Sequence, residues 1–110
     1  MIRELFDRQL TAIAEGDLET LLSQYHEDAL VVRLDRVAKG TAEIRAFFTG
    51  YLELKPRVEE IKAVQVVDDT IFYNAVMTIA GNRVSAYGTL VTRDDRIWRQ
   101  TASAVPLPSS

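Results

Sequence analysis

AIAEGDLETLLSQYHEDALVV, residues 12–32, changes its periodicity twice. Upstream of it, Ile2, Leu5, Phe6, Leu10 and Ile13 recur at helical spacing, with charged residues between them. Gly16 follows, a residue suited to the positive φ that ends many helices, and Asp17 suits the N-cap of a new one. Leu18, Leu21, Leu22 and Tyr25 form a second, shorter apolar stripe. The spacing therefore predicts a corner between two helices at Gly16-Asp17. His26-Glu27-Asp28 is expected to end the second helix, and ALVVRLD to open the first strand.

A third helix is expected from Gly40-Thr41, with Thr41 as N-cap and Glu43 favouring the positive helix end. Ile44, Phe47, Phe48, Tyr51 and Leu52 form its apolar face, and Pro56 stops it. Val58–Val67, Thr70–Ala80, Val84–Arg93 and Arg96–Val105 are rich in β-branched and aromatic residues. Asp68-Asp69, Gly81-Asn82 and Asp94-Asp95 separate them as turns. The order α-α-β-α-β-β-β-β makes an α+β domain, three N-terminal helices packed on one face of a curved antiparallel sheet. Residues 1–105 form this single domain, and 106–110, with two prolines and two serines, are expected to fray.

Among 110 residues there are 13 basic and 16 acidic side chains, for a net charge of -3. No run of like charge exceeds two residues, so neither nucleic-acid binding nor a polybasic membrane tether is expected. The N-terminus is not expected to be a signal peptide, and no apolar run reaches the ~20 residues of a membrane span. Cysteine is absent, which excludes disulfides and thiolate chemistry and suits a cytoplasmic protein. With one histidine and no cysteine, neither a metal site nor a cofactor is expected. His26 is expected at a helix C-terminus, in a surface role.

Three features combine into a resemblance. They are the Gly16-Asp17 corner, the aromatic Tyr25 before Glu27-Asp28-Ala29, and the run from Gly40 to Phe48 carrying Ile44-Arg45 and Phe47-Phe48. In this the chain resembles the nuclear transport factor 2-like superfamily, and within it the SnoaL-like polyketide cyclases and ketosteroid isomerases. The resemblance covers essentially the whole chain and implies a cone-shaped cavity between helices and sheet. It does not carry the isomerase chemistry across. Arg33 stands at the general-base position, Gln9 at the first oxyanion donor, and Gly88 or Leu90 near the second. Proton abstraction beside a carbonyl needs a positioned base and donors aimed at the enolate.

Strand alternation places Tyr73, Met77, Gly88, Leu90, Trp98 and Gln100 on the face that the resemblance makes concave. Mixed with alanines, they are candidates to line an apolar small-molecule pocket. Tyr25 and Tyr51 project from helices, as packing residues or as hydrogen-bond donors to a ligand. Arg33 has two readings. Correspondence with the isomerase base points it into the cavity, towards an anionic ligand group. Local alternation makes Val32 and Leu34 the buried pair and leaves Arg33 and Asp35 outside. The opposite sheet face, with Phe72, Val76, Tyr87 and Val91, has no helix left to cover it, and a homodimer through it is expected. Three functions are open at this point. One is a dimeric protein binding an apolar ligand. Another is an isomerase, cyclase or hydrolase acting on a polycyclic or polyketide-like substrate, with Asp35 or a tyrosine as substitute base. The last is a dimerisation module with a filled core.

Overall fold

Gly16, at φ 67°, ends the first helix in a two-bond C-cap. Its own N–H donates to Ile13 O at 3.2 Å, and the Asp17 N–H reaches back to Ala12 O at 2.9 Å. The Asp17 carboxylate then accepts from the Thr20 N–H at 3.2 Å and the Thr20 hydroxyl at 2.7 Å, capping the second helix. The computed structural model of the chain describes residues 2–108. Its elements are α1 (Ile2–Glu15), α2 (Leu18–Ser23), β1 (Tyr25–Val32), β2 (Val37–Lys39), α3 (Gly40–Glu53), β3 (Arg57–Val67), β4 (Thr70–Ile79), β5 (Asn82–Arg93) and β6 (Arg96–Pro106).

The strands form one sheet in the order β2-β1-β6-β5-β4-β3. The α+β plan of three helices on a curved sheet stands, with two differences from expectation. β2 is an additional strand, joined to β1 by a tight turn in which Arg33 and Arg36 exchange backbone hydrogen bonds. And β1 pairs with β6 in parallel, so the sheet is mixed rather than wholly antiparallel. α1 packs over β3 and β4, α3 over β1 and β2, and α2 bridges the two helices. Phe6, Leu21, Ile44, Ile71, Leu90 and Ile97 are sealed between the layers.

Several boundaries move for local reasons. Tyr25 opens β1 instead of closing α2, because the helix already ends at Ser23 with Gln24 as its C-cap. His26-Glu27-Asp28 therefore does not end a helix. Tyr25 pairs with Ile97 and Leu30 with Arg99, so β1 spends five steps where β6 spends two, and the polar triplet falls in that bulge. Helix α3 is capped at Lys39, not Thr41, and the Glu43 carboxylate accepts the Lys39 N–H at 2.9 Å. The β4–β5 turn is Ala80-Gly81, both at positive φ, one residue before the expected pair. Asp94-Asp95, both at positive φ, turns β5 into β6 as expected. β6 runs to Pro106, and the Leu107 N–H donates to Arg83 O at 3.0 Å. The ordered edge thus passes the expected boundary at 105, while residues 109 and 110 of the expected tail lie outside the described residues.

Gly88 lies directly opposite Tyr73 across β4 and β5. The Tyr73 ring rests on it, so that a Cβ at position 88 would stand 2.6 and 2.7 Å from two ring carbons. Phe6 holds the ring from above, with centroids 5.1 Å apart. Gly88→Ala should therefore destabilise the protein by about 1–3 kcal/mol through overpacking. The same change made in a Tyr73→Ala background should cost almost nothing, and denaturant unfolding of the four proteins measures the difference.

Candidate functional site

Helix α1 presents Leu5, Phe6, Gln9 and Ala12 to the interior. Gln9 is thus a polar residue on an apolar stripe, and burial obliges it to find partners. It finds them in Gln24 and Tyr25. Gln24 Nε2 donates to Leu5 O at 2.9 Å and to Gln9 Oε1 at 3.3 Å. Gln9 Nε2 donates to the Tyr25 hydroxyl at 2.7 Å, and that hydroxyl donates to Gln100 Oε1. A chain of four buried polar side chains thus runs from α1 through the start of β1 to the middle of β6.

Above Gln100 a cavity of about 60 Å³ opens between α1, α3 and the concave face of β4, β5 and β6. That holds some four or five water-sized groups and falls well short of the ~300–1,000 Å³ typical of drug-sized ligand sites. Tyr73, lying across Gly88, occupies much of the cone. Of the expected pocket residues, Arg33, Tyr51, Tyr73, Met77, Leu90 and Gln100 line the cavity. Alanines 75, 86, 102 and 104 complete its sheet wall, while Phe6, Leu10, Ile13, Phe47 and Phe48 come from the helices.

Three expected residues stand elsewhere. Tyr25 is buried beneath the cavity, spent on Gln9 and Gln100. Gly88 supports the Tyr73 ring and otherwise borders a shallow groove on the outer sheet face. Trp98 is outside altogether. β5 and β6 pair Val91 with Arg99 but Thr92 with Ile97, so Trp98 is the extra residue of a bulge, and Ile97 takes the inward position. The indole lies between guanidinium groups, 3.7 Å from Arg99 and 4.7 Å from Arg93.

Arg33 stands at the rim, lining both the cavity and the groove on the outer sheet face. Ala29 and Val31 are buried and Arg33 follows on the same face, while Val32 is exposed and Leu34 fully so. Local alternation misled because Leu34 and Asp35 belong to the β1–β2 turn, not to a continuing strand. Arg33 Nε lies 3.2 Å from Asp35 Oδ1. Asp35 itself is 74% exposed, so it is no buried base. Neither Asp nor Glu lines the cavity. His26 is also remote from it, its Nδ1 accepting the Asp28 N–H at 3.0 Å.

Burial raises the pKa of Tyr25 far above the ordinary phenol range, against smaller opposing pulls from its Gln9 and Gln100 hydrogen bonds. Burial does the same to Tyr51, and to Tyr73, with the Arg33 charge pulling both the other way. All three are neutral donors at ordinary pH and unsuited to act as phenolate bases. Gln9 and Gln24 were the residues least visible as site components. Two signals point to Gln9, its place at the first oxyanion-donor position of the resemblance and its interruption of the apolar stripe of α1; nothing in the sequence flags Gln24.

Above pH 10.0, the ordinary tyrosine value, the unfolded chain loses phenolic protons that these buried side chains keep. Native stability should therefore fall as pH rises beyond that point and be unaffected by them below it. Tyr25→Phe should make the alkaline fall shallower. At neutral pH it should cost about 1–3 kcal/mol, because Gln9 Nε2 and Gln100 Oε1 lose their common partner. Urea titrations at a series of pH values measure both effects.

A sequence profile described as SnoaL-like domain matches residues 6–100. No curated protein sequence matches the chain significantly. Among solved structures, an NTF2-like protein of unknown function from Cytophaga hutchinsonii superposes with a TM-score of 0.83 at 10% identity, over 96% of this chain and 91% of that one. A candidate polyketide cyclase from Sinorhizobium meliloti gives 0.81 at 17% identity, over 91% and 94%. A candidate ketosteroid isomerase from Kribbella flavida gives 0.83 at 14% identity, over 98% and 80%. At such identities the likeness is one of fold. The profile match over residues 6–100 places this chain in the SnoaL-like domain family.

Proposed function

We propose that the protein binds a small, largely apolar molecule in the cavity under α1 and α3, and that binding rather than turnover is its function. The observation that carries this reading is the lining. Apolar walls meet a few polar side chains near Gln100 and Arg33, the usual make-up of a small-ligand site. Among the described residues no carboxylate lines the cavity, and Tyr51 and Tyr73 are held neutral, so the lining supplies no base for isomerase or cyclase chemistry. Its volume also argues against a polycyclic substrate.

Butyramide, a neutral molecule of six non-hydrogen atoms, suits the space. It should shift the methyl NMR signals of Ala75, Met77 and Ala86 saturably, and Ala86→Leu should abolish the effect by filling the cavity while the protein stays folded. Absence of any saturable shift would favour a filled structural core instead.

The protein acts, in this reading, as a homodimer formed through the outer face of β4, β5 and β6. Support comes from the exposed Phe72, Tyr87 and Val105, set among serines, threonines and Asn74 with no charged residue between them. A sheet face of that kind is self-complementary under two-fold symmetry. Val76, expected to contribute, is already buried within one chain, and Val91 is half-buried, so the contact centres on Phe72 and Tyr87. Light scattering should find a dimer at micromolar concentration and a monomer once Phe72 and Tyr87 are both replaced by Glu, since these charges would be desolvated in the interface. A native monomer under the same conditions would refute the dimer.

A further inference from the structure

The four-residue chain beneath the cavity has a direction, and the direction is set at its far end. Leu5 O is a backbone carbonyl and can only accept, so the end of Gln24 that faces it at 2.9 Å must be the NH2 group. The same NH2 group reaches the next amide at 3.3 Å, which makes that atom Gln9 Oε1 and turns Gln9 Nε2 towards Tyr25. The Tyr25 hydroxyl has one proton. Accepting from Gln9, it donates that proton onward, and the receiving atom is Gln100 Oε1. Gln100 Nε2 is then turned away from the chain. Each amide orientation follows from the one before, so the polarity of the last group is decided by a carbonyl on another element.

Gln100 is 93% buried, at 7% relative exposure, and it lines the cavity. Its Nε2 has no hydrogen-bond partner among the described residues. No polar side-chain atom sealed from solvent lacks a partner there, so this nitrogen is reached through the cavity space. Arg33 lines the same cavity. Only its Nε is engaged, by the exposed Asp35 carboxylate, and its two terminal nitrogens have no partner among the described residues. Of the other polar side chains in the lining, Gln9 is engaged by Gln24 and Tyr25, Tyr51 and Tyr73 are neutral hydroxyls that can donate as well, and Tyr87 and Ser103 add hydroxyls from the strands. The cavity thus offers two unengaged obligate donors, one of them cationic, several hydroxyls, and no carboxylate among the described residues.

We infer that the cavity takes a small aliphatic monocarboxylate, with its oxygens towards Gln100 Nε2 and Arg33 and its short carbon chain against the alanine and methionine wall. This rests on the pocket reading above and narrows it to a ligand class. A dianionic phosphate would bring a larger charge to a mostly apolar wall that supplies one cation. A neutral ligand would leave the two terminal Arg33 nitrogens, which Asp35 does not engage, without a charged acceptor. A carboxylate meets both donors and leaves a hydrocarbon tail for the walls.

The test titrates butyrate and butyramide, which have the same number of non-hydrogen atoms, into the native protein and two variants, followed by methyl and side-chain amide NMR shifts. Native protein should bind butyrate about tenfold or more tightly than butyramide, as charged hydrogen bonds to an anion would give. Gln100→Glu keeps an acceptor for Tyr25 but replaces the inward NH2 with an acceptor oxygen, and should reverse the order. Arg33→Met, at the partly exposed edge, should leave the fold intact and bring butyrate down to the level of butyramide, which keeps the inference testable if Gln100→Glu does not fold. Equal binding of the two probes to native protein overturns the carboxylate inference while the pocket stands. A butyrate preference that survives both changes overturns the assignment to these residues. If neither probe binds, the pocket reading fails and takes the inference with it.

Discussion

Helices and sheet in this protein are tied together by a buried line of hydrogen bonds from Leu5 O through Gln24, Gln9 and Tyr25 to Gln100. Four polar side chains in an interior would be a liability if any were left unmatched. Here each is tied to the next, the unpaired Gln100 Nε2 is left at the cavity end of the line, and no polar side-chain atom sealed from solvent among the described residues lacks a partner. Each such bond contributes only about 1 kcal/mol net, but breaking any one strands two buried groups. The larger effect is on specificity of structure. Sliding α1 along its axis would separate Gln9 from Tyr25, and shifting β1 against β6 would separate Tyr25 from Gln100. The network therefore fixes the helix layer over the sheet, and in doing so it sets the chemical character of the cavity above it.

Cavity size follows from a second pairing. Tyr73 fits across Gly88 because that strand position has no side chain, and Phe6 closes over the ring. The cone of this fold is consequently narrowed from within by an aromatic side chain. What is left suits a molecule of a few heavy atoms. The candidate cyclase and candidate isomerase that share the architecture do so at 14–17% identity, where fold says little about chemistry. Here no aspartate or glutamate among the described residues lines the cavity, and amides, tyrosines and an arginine do.

Much of the scaffold could be read from local chemistry. Gly16 and Asp17 act within a few residues of themselves, as do Pro56 and Asp94-Asp95, and all perform as their types suggest. Cavity-lining residues on regular strands, such as Met77 and Leu90, are legible by alternation. The failures cluster at bulges and turns. Trp98 was assigned inward by a period of two that the β6 bulge interrupts, and Arg33 was ambiguous because the β1–β2 turn follows immediately. Tyr25 continued a helical stripe by spacing, yet begins a strand. The Gln9–Gln24–Tyr25–Gln100 line was not legible at all, since its partners are 15, 16 and 75 residues apart. No local pattern records such a pairing: Gln9, Tyr25 and Gln100 each stand out singly in the sequence, but the connection between them does not.

The orientation of the Gln100 side-chain amide decides whether the cavity meets a donor or an acceptor at its base. It can be read directly by nuclear Overhauser measurements on protein labelled with ¹⁵N in the glutamine side chains. With Gln100 Nε2 facing the cavity, the Tyr25 hydroxyl proton is protected from exchange and shows its closest amide contacts to Gln9 Nε2 protons, while the Gln100 Nε2 protons exchange with water in the cavity. Strong contacts between the Gln100 Nε2 protons and the Tyr25 hydroxyl, with none from Gln9, would mean that the chain runs the other way and presents an acceptor to the ligand, contradicting the account at its centre.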